Sequence, residues 1–111
     1  MLFVQTFDPR PGVSAQQVKE LYFRVASQWL EIWPSNKFVG LFEHKFVGSG
    51  PRFMAIWEMP GFAAFDEWHS EWPGVKERGF VALENQLWDC ITNNATRVME
   101  RCEPSQNGPE S

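Results

Sequence analysis

The sequence predicts an α+β fold, an antiparallel sheet with helices packed on one of its faces. Three observations predict it. Between Lys37 and Met59, the runs KFVGLFEHKFVG and RFMAIWEM are rich in β-branched and aromatic residues and flank the turn SGP, which is a hairpin signature. A long amphipathic helix precedes this hairpin and further helical segments come after it. Short apolar strands open and close the patterned part of the chain.

The opening strand runs from Leu2 to Phe7 (LFVQTF), and Asp8, Pro9, Arg10, Pro11 and Gly12 end it. The first helix starts at VSAQQV. Ser14 as N-cap and Gln17 three residues on make a capping box, and Val13 and Val18 are placed for a hydrophobic staple. Val18, Leu21, Tyr22, Val25, Trp29, Ile32 and Trp33 form its apolar stripe, and Pro34 stops it. In the first arm of the hairpin, Phe38, Gly40, Phe42, His44 and Phe46 alternate with Val39, Leu41, Glu43, Lys45 and Val47. Both sets are largely apolar, so both faces of this strand are expected to meet protein. Pro60-Gly61 closes the hairpin.

A second helical segment, FAAFDEWHSEW, places Phe62, Phe65, His69 and Trp72 on one face, and Pro73-Gly74 breaks it. A third, from about Val75 to Cys90, turns Phe80, Leu83, Leu87 and Ile91 inward. Asn93-Asn94 reads as a turn and Ala95 to Cys102 as the last strand. Residues 1–102 thus make a single domain, and Glu103 to Ser111, without an apolar residue, reads as a disordered tail.

The order strand, helix, strand, strand, broken helix, strand is the β-α-β-β-α-β split unit of ferredoxin-like folds. Helices cover one face of such a sheet. The other face is also apolar in the central hairpin, so a homodimer pairing sheet against sheet is expected.

Composition narrows the function. A chain of 111 residues is long enough for one modest core. Six Trp and ten Phe suit a core, an interface or a cavity walled by flat rings. A net charge of −4 gives no electrostatic footprint for nucleic acid. No stretch reads as a signal peptide or a membrane span, and Cys90 and Cys102 read as reduced thiols of a cytoplasmic protein. Glycine-rich phosphate loops, HExxH, CxxC and a serine elbow are absent from the sequence, and two lone histidines make no metal motif.

The strand with DPRPG and its long helix, FVGLFEHKFVG, FMAIWEM followed by FAAFDEW, and the closing TRVME together resemble the dimeric α/β barrel superfamily. Within it, the chain is similar to NIPSNAP-like and antibiotic-biosynthesis-monooxygenase-like domains over nearly all of residues 1–102. The resemblance implies a ligand cavity between sheet and helices. The superfamily includes cofactor-free monooxygenases, haem-degrading enzymes, isomerases, cyclases and proteins without known activity, so fold alone does not choose among them.

On this reading His69, between Phe65 and Trp72 on an apolar helix face, is a candidate proton carrier, with Asp66 to orient its ring. The alternative is a surface or interfacial histidine paired with Asp66. His44 lines the cavity if its strand face meets the helices, and the dimer interface if it does not. Trp57, Phe42, Phe65, Trp72 and Trp29 are candidates for holding a flat ligand, and Trp33 and Trp68 could complete an aromatic cage; core packing is the alternative. Glu58 is either a base beside Trp57 or a solvated strand end. Glu43 and Lys45 are expected in ion pairs, and Arg52 and Arg97 in surface pairs or against an anion. The function this supports is a small cofactor-independent enzyme acting on an apolar aromatic or polyketide-like molecule by acid/base chemistry: monooxygenation, isomerisation or cyclisation. The alternatives are a non-catalytic ligand-binding or assembly module and a haem-binding or haem-degrading protein.

Overall fold

The computed structural model describes residues 1–45, 48–66 and 79–104. Its elements are β1 (Leu2–Pro9), α1 (Ala15–Ile32), β2 (Lys37–Glu43), β3 (Phe53–Glu58), α2 (Phe80–Cys90) and β4 (Ile91–Met99). The four strands form one antiparallel sheet in the order β2-β3-β1-β4. This is the ferredoxin-like arrangement, with the first and third strands at the centre.

Local chemistry sets α1 as expected. Ser14 Oγ accepts the Gln17 backbone N–H and Gln17 Oε1 accepts the Ser14 N–H, each at 3.1 Å. At the other end the Trp33 N–H donates to the Trp29 carbonyl, and Pro34 comes next. Asn36 N–H then donates to the Trp33 carbonyl, a turn that tucks Asn36 under the end of the helix.

The core lies between the sheet and the helices. Phe7 of β1, Phe53, Ala55 and Trp57 of β3, Val18, Tyr22 and Val25 of α1, and Phe80, Leu83 and Leu87 of α2 form one buried cluster. The alternation along β3 is clean: Phe53, Ala55 and Trp57 are buried while Met54 and Glu58 are exposed on the other face.

In β2 the expected strict alternation fails. Phe38 faces Trp57, but the next pair is Gly40 with Ile56, so Val39 is an extra residue in the ladder. The bulge reverses the facing of the residues beyond it. Phe38 packs toward the helices, its ring 4.7 Å from that of Trp57, whereas Phe42 pairs with Met54 on the open face and is 50% exposed. Leu41 and Glu43 turn to the helix side instead. β2 also ends at Glu43, short of the long strand read from the sequence; Phe46 and Val47 lie outside the described residues.

A second correction concerns Asn93-Asn94, which sit within β4 and form no turn. Between the pairs Thr6 with Ala95 and Asp8 with Thr92, β1 advances two residues and β4 three. Asn93 absorbs the extra residue at φ 56°, a conformation asparagine tolerates, and its amide donates to Asp8 Oδ2 at 3.0 Å. The strand therefore begins at Ile91, directly after α2, and Asp8 and Pro9 extend β1.

The face of the sheet away from the helices is apolar over much of its area. Val4 and Ile56 lie at its centre, with Phe42, Met54 and Met99 exposed around them.

Candidate functional site

A cavity of about 50 Å3 lies between the sheet and helices α1 and α2. β1 contributes Phe3 and Gln5, β3 Trp57, α1 Tyr22, Val25 and Trp29, and α2 Glu84, Leu87 and Trp88; Asn36 and Met59 complete the lining. Each side chain arrives there by simple periodicity. Phe3, Gln5 and Phe7 share the helix-facing side of β1. Tyr22, Val25 and Trp29 are successive positions of the α1 stripe, and Glu84, Leu87 and Trp88 recur at three- and four-residue spacing along α2.

The polar atoms are organised in two groups. Tyr22 Oη donates to Gln5 Oε1 at 2.5 Å and accepts the Trp57 indole N–H at 2.9 Å. This ties α1 to the two central strands through a buried chain in which each member is satisfied. Burial pushes the Tyr22 phenol far above its ordinary pKa, against the opposing effect of the Trp57 N–H, so the group stays protonated. Across the cavity, the Trp88 indole N–H donates to Glu84 Oε1 at 3.2 Å. Burial raises the Glu84 carboxyl above the usual carboxylate range, and the Trp88 hydrogen bond only partly offsets it. Asn36, 4% exposed, has no partner for either amide atom among the described residues. A buried amide left in that state costs on the order of 1–3 kcal/mol.

The residues singled out in the sequence fall in different places. Trp57 and Trp29 line the cavity. Phe65, in a helical stretch described over residues 63–66, is half-buried with its ring 6.3 Å from that of Phe3, and Asp66 is exposed. Phe42 lies on the open face. His44 comes just after β2, its N–H donating to the Arg52 carbonyl, and groups with Phe42 and Met54 away from the cavity. Trp33 is fully buried against Trp29 and Phe80, and Glu58 is exposed. His69, Trp72 and Trp68 lie outside the described residues, as does the chain from 105 onward.

Near His44, Glu43 gathers three cations. Lys19 and Lys45 reach its Oε1 at 2.8 and 2.9 Å, and Arg52 its Oε2 at 2.6 Å. Hydrogen bonds from Lys19 first, then Lys45 and Arg52, lower its pKa to about 2. Glu43 and Lys45, expected in ion pairs, meet each other in a cluster that Arg52 joins from across the hairpin and Lys19 from α1. Arg52 is engaged in the same way, and its backbone N–H donates to Asp8 Oδ1.

The lining residues that carry most of the cavity's polar groups, Gln5, Asn36, Glu84 and Trp88, escape a reading of the sequence. A Glu on a helix is normally solvated. The signal lay in its spacing: Phe80, Glu84, Leu87 and Ile91 recur as one apolar stripe would, with the acid in the place of a hydrophobe.

No family model and no curated protein matches the sequence. Solved structures do share its shape. A protein of Arabidopsis thaliana, 12% identical, aligns with a TM-score of 0.66 over 94% of this chain and 97% of its own. A protein of Agrobacterium tumefaciens, 17% identical, aligns at 0.60 over 98% of each chain. A NIPSNAP family protein from Agrobacterium tumefaciens strain C58, 18% identical, aligns at 0.50, again over 98% of each. The chain has the fold of a NIPSNAP family protein. This agrees with the resemblance to the dimeric α/β barrel superfamily and, at these identities, concerns the fold alone.

Proposed function

We propose that this NIPSNAP-like fold binds a small organic molecule in the cavity between sheet and helices and performs acid/base chemistry on it, working as a homodimer. The observation that carries the reading is Glu84, a carboxyl drawn into a recess walled by Trp29, Trp57 and Trp88. A carboxyl whose pKa lies above its usual range can hold or release a proton nearer neutrality, which suits general acid/base work. Trp57 and Tyr22 are fixed by their own hydrogen bond, so that wall is preorganised. The ligand is compact: a space of about 50 Å3 takes a molecule of a few heavy atoms, or one end of an aromatic or polyketide-like molecule whose remainder rests on the exposed Trp88 rim.

The dimer is drawn from the open sheet face. Phe42, Met54 and Met99 project from it beside Val4 and Ile56, and a second copy of the same face is the simplest self-complementary cover.

A non-catalytic module of the same fold is the second reading, and the cavity's size favours it. Ligand pockets usually enclose about 300 Å3 or more, and this cavity encloses about 50 Å3. A haem macrocycle is far larger than the cavity of about 50 Å3 between sheet and helices.

A thermal-shift screen of small aromatic and polar metabolites, run on the wild type and on a Leu87→Phe variant that fills the cavity, tests the proposal. Members of the panel should raise the wild-type melting temperature and leave the variant unmoved. Equal shifts in both proteins, or none at millimolar ligand, would contradict it.

A further inference from the structure

Three ring donors of the cavity are taken: the Trp57 N–H by Tyr22, the Tyr22 O–H by Gln5, and the Trp88 N–H by Glu84. The Asn36 amide has no partner for its oxygen or its NH2 among the described residues, so it can meet a donor or an acceptor. What distinguishes the lining is charge: Glu84 accepts the Trp88 N–H at Oε1, and no cationic side chain stands among the described lining residues opposite it. The walls are π-systems, Trp29, Trp57, Trp88, Tyr22 and Phe3, which attract a cation through their negative faces.

We infer that the cavity is a site for a small organic cation, an alkylammonium group of about four to five heavy atoms held between Glu84 and the tryptophans. The inference rests on the proposed binding role of this cavity and names its ligand class. Glu84 supplies the counter-charge, and Trp29, Trp57 and Trp88 supply the cage. The Asn36 carbonyl offers a second acceptor to an ammonium N–H. The site is incomplete without such a ligand in a definite sense: burial disfavours the Glu84 anion, and no cationic side chain among the described lining residues compensates it. An ammonium ion would be that missing partner. The net charge of −4 adds a favourable field for a cation.

Binding and proton release are then linked. The titratable groups facing the cavity are Glu84 from α2 and Tyr22 from α1; β1 and β3 contribute Gln5 and Trp57, which do not titrate. Tyr22 stays protonated throughout, so the pH dependence belongs to Glu84. A cation binds the carboxylate and not the acid, and affinity should rise as pH rises through the Glu84 pKa.

The test is a titration of tryptophan fluorescence with trimethylammonium chloride and, separately, with neutral tert-butyl alcohol of similar size, at constant ionic strength against sodium chloride. The wild type should prefer trimethylammonium by about tenfold or more at pH 8, and the preference should shrink at pH 4. Glu84→Gln, which keeps the acceptor for Trp88, should abolish the preference; Glu84→Asp serves if the amide variant folds poorly. Equal affinity for the two probes in the wild type, or a preference that survives in Glu84→Gln, overturns the inference while the cavity remains a small-molecule site. Binding of neither probe, together with a silent thermal-shift screen, overturns both.

Discussion

The Trp57 indole N–H reaches the Tyr22 phenol oxygen at 2.9 Å, and that phenol in turn donates to Gln5 Oε1. One side chain from the long helix thereby pins two strands at the centre of the sheet. The ring contacts run along the same line: Tyr22 stacks on Phe7 at 5.4 Å and meets Phe38 at 6.0 Å.

Removing the hydroxyl should therefore be costly out of proportion to its size. Tyr22→Phe strands the buried Trp57 N–H and the half-buried Gln5 carbonyl, and should destabilise by about 1–3 kcal/mol in urea unfolding. Adding Gln5→Leu removes one of the stranded groups and should recover part of the loss. A Tyr22→Phe variant as stable as the wild type would show that the chain of hydrogen bonds is not what fixes this wall.

Glu84 gives a pH dependence of defined sign. Its carboxyl is protonated more readily in the folded chain than in the unfolded one. The folded state then binds more protons in the window above the ordinary carboxylate value, and stability falls as pH rises through that window. Below it the penalty is absent; above it the penalty is fully present. Glu84→Gln should flatten this slope and melt at the same or a higher temperature at pH 8. A variant that melts lower at pH 8 with the slope intact would count against a desolvated carboxyl.

Glu43 works in the opposite direction. With its pKa lowered to about 2, the carboxylate contributes stability above the ordinary carboxylate value, and this is lost as pH falls toward 2. Salt should weaken the contribution, since Lys45 and Arg52 are well exposed. Urea midpoints of the wild type and Glu43→Gln should converge at low pH and in high salt. Parallel curves at every pH would mean that the three cations add nothing.

Much of this architecture can be read from residue order. The capping box at Ser14 and Gln17, the stop at Pro34 and the alternation of Phe53, Ala55 and Trp57 are local signals, and tertiary packing agrees with them. The failures arise where two strands meet. A β-bulge depends on how two strands meet, so the single extra residue at Val39 is invisible in β2 alone, yet it sends Phe42 to the open face. Asn93-Asn94 carries a true signal for positive φ, used in a bulge in place of a turn. The aromatic half of the cavity was legible in Trp29 and Trp57. Its polar half was not, because Glu84 and Asn36 are of types usually solvated, and only the packed fold half-buries Glu84 and buries Asn36.

The open face makes a prediction about assembly. If Phe42, Met54 and Met99 are covered by a second copy, the protein should sediment as a dimer, with an interface of over about 2,000 Å2 in total. Phe42→Glu combined with Met54→Lys should give a monomer with its secondary structure retained. A wild-type protein that sediments as a monomer across the accessible concentration range would contradict the dimer and leave the cavity untouched.

The most direct test of a working cavity is the indole N–H region of the NMR spectrum. The chain has six tryptophans, whose signals can be assigned one by one with Trp→Phe variants. On addition of a ligand found in the screen, the Trp57 and Trp88 indole signals should move together and saturate at one affinity, because their N–H groups hold the two sides of the cavity. Shifts confined to backbone signals around Phe42, Met54 or the Glu43 cluster, with Trp57 and Trp88 unmoved, would place binding elsewhere and contradict a ligand site between sheet and helices.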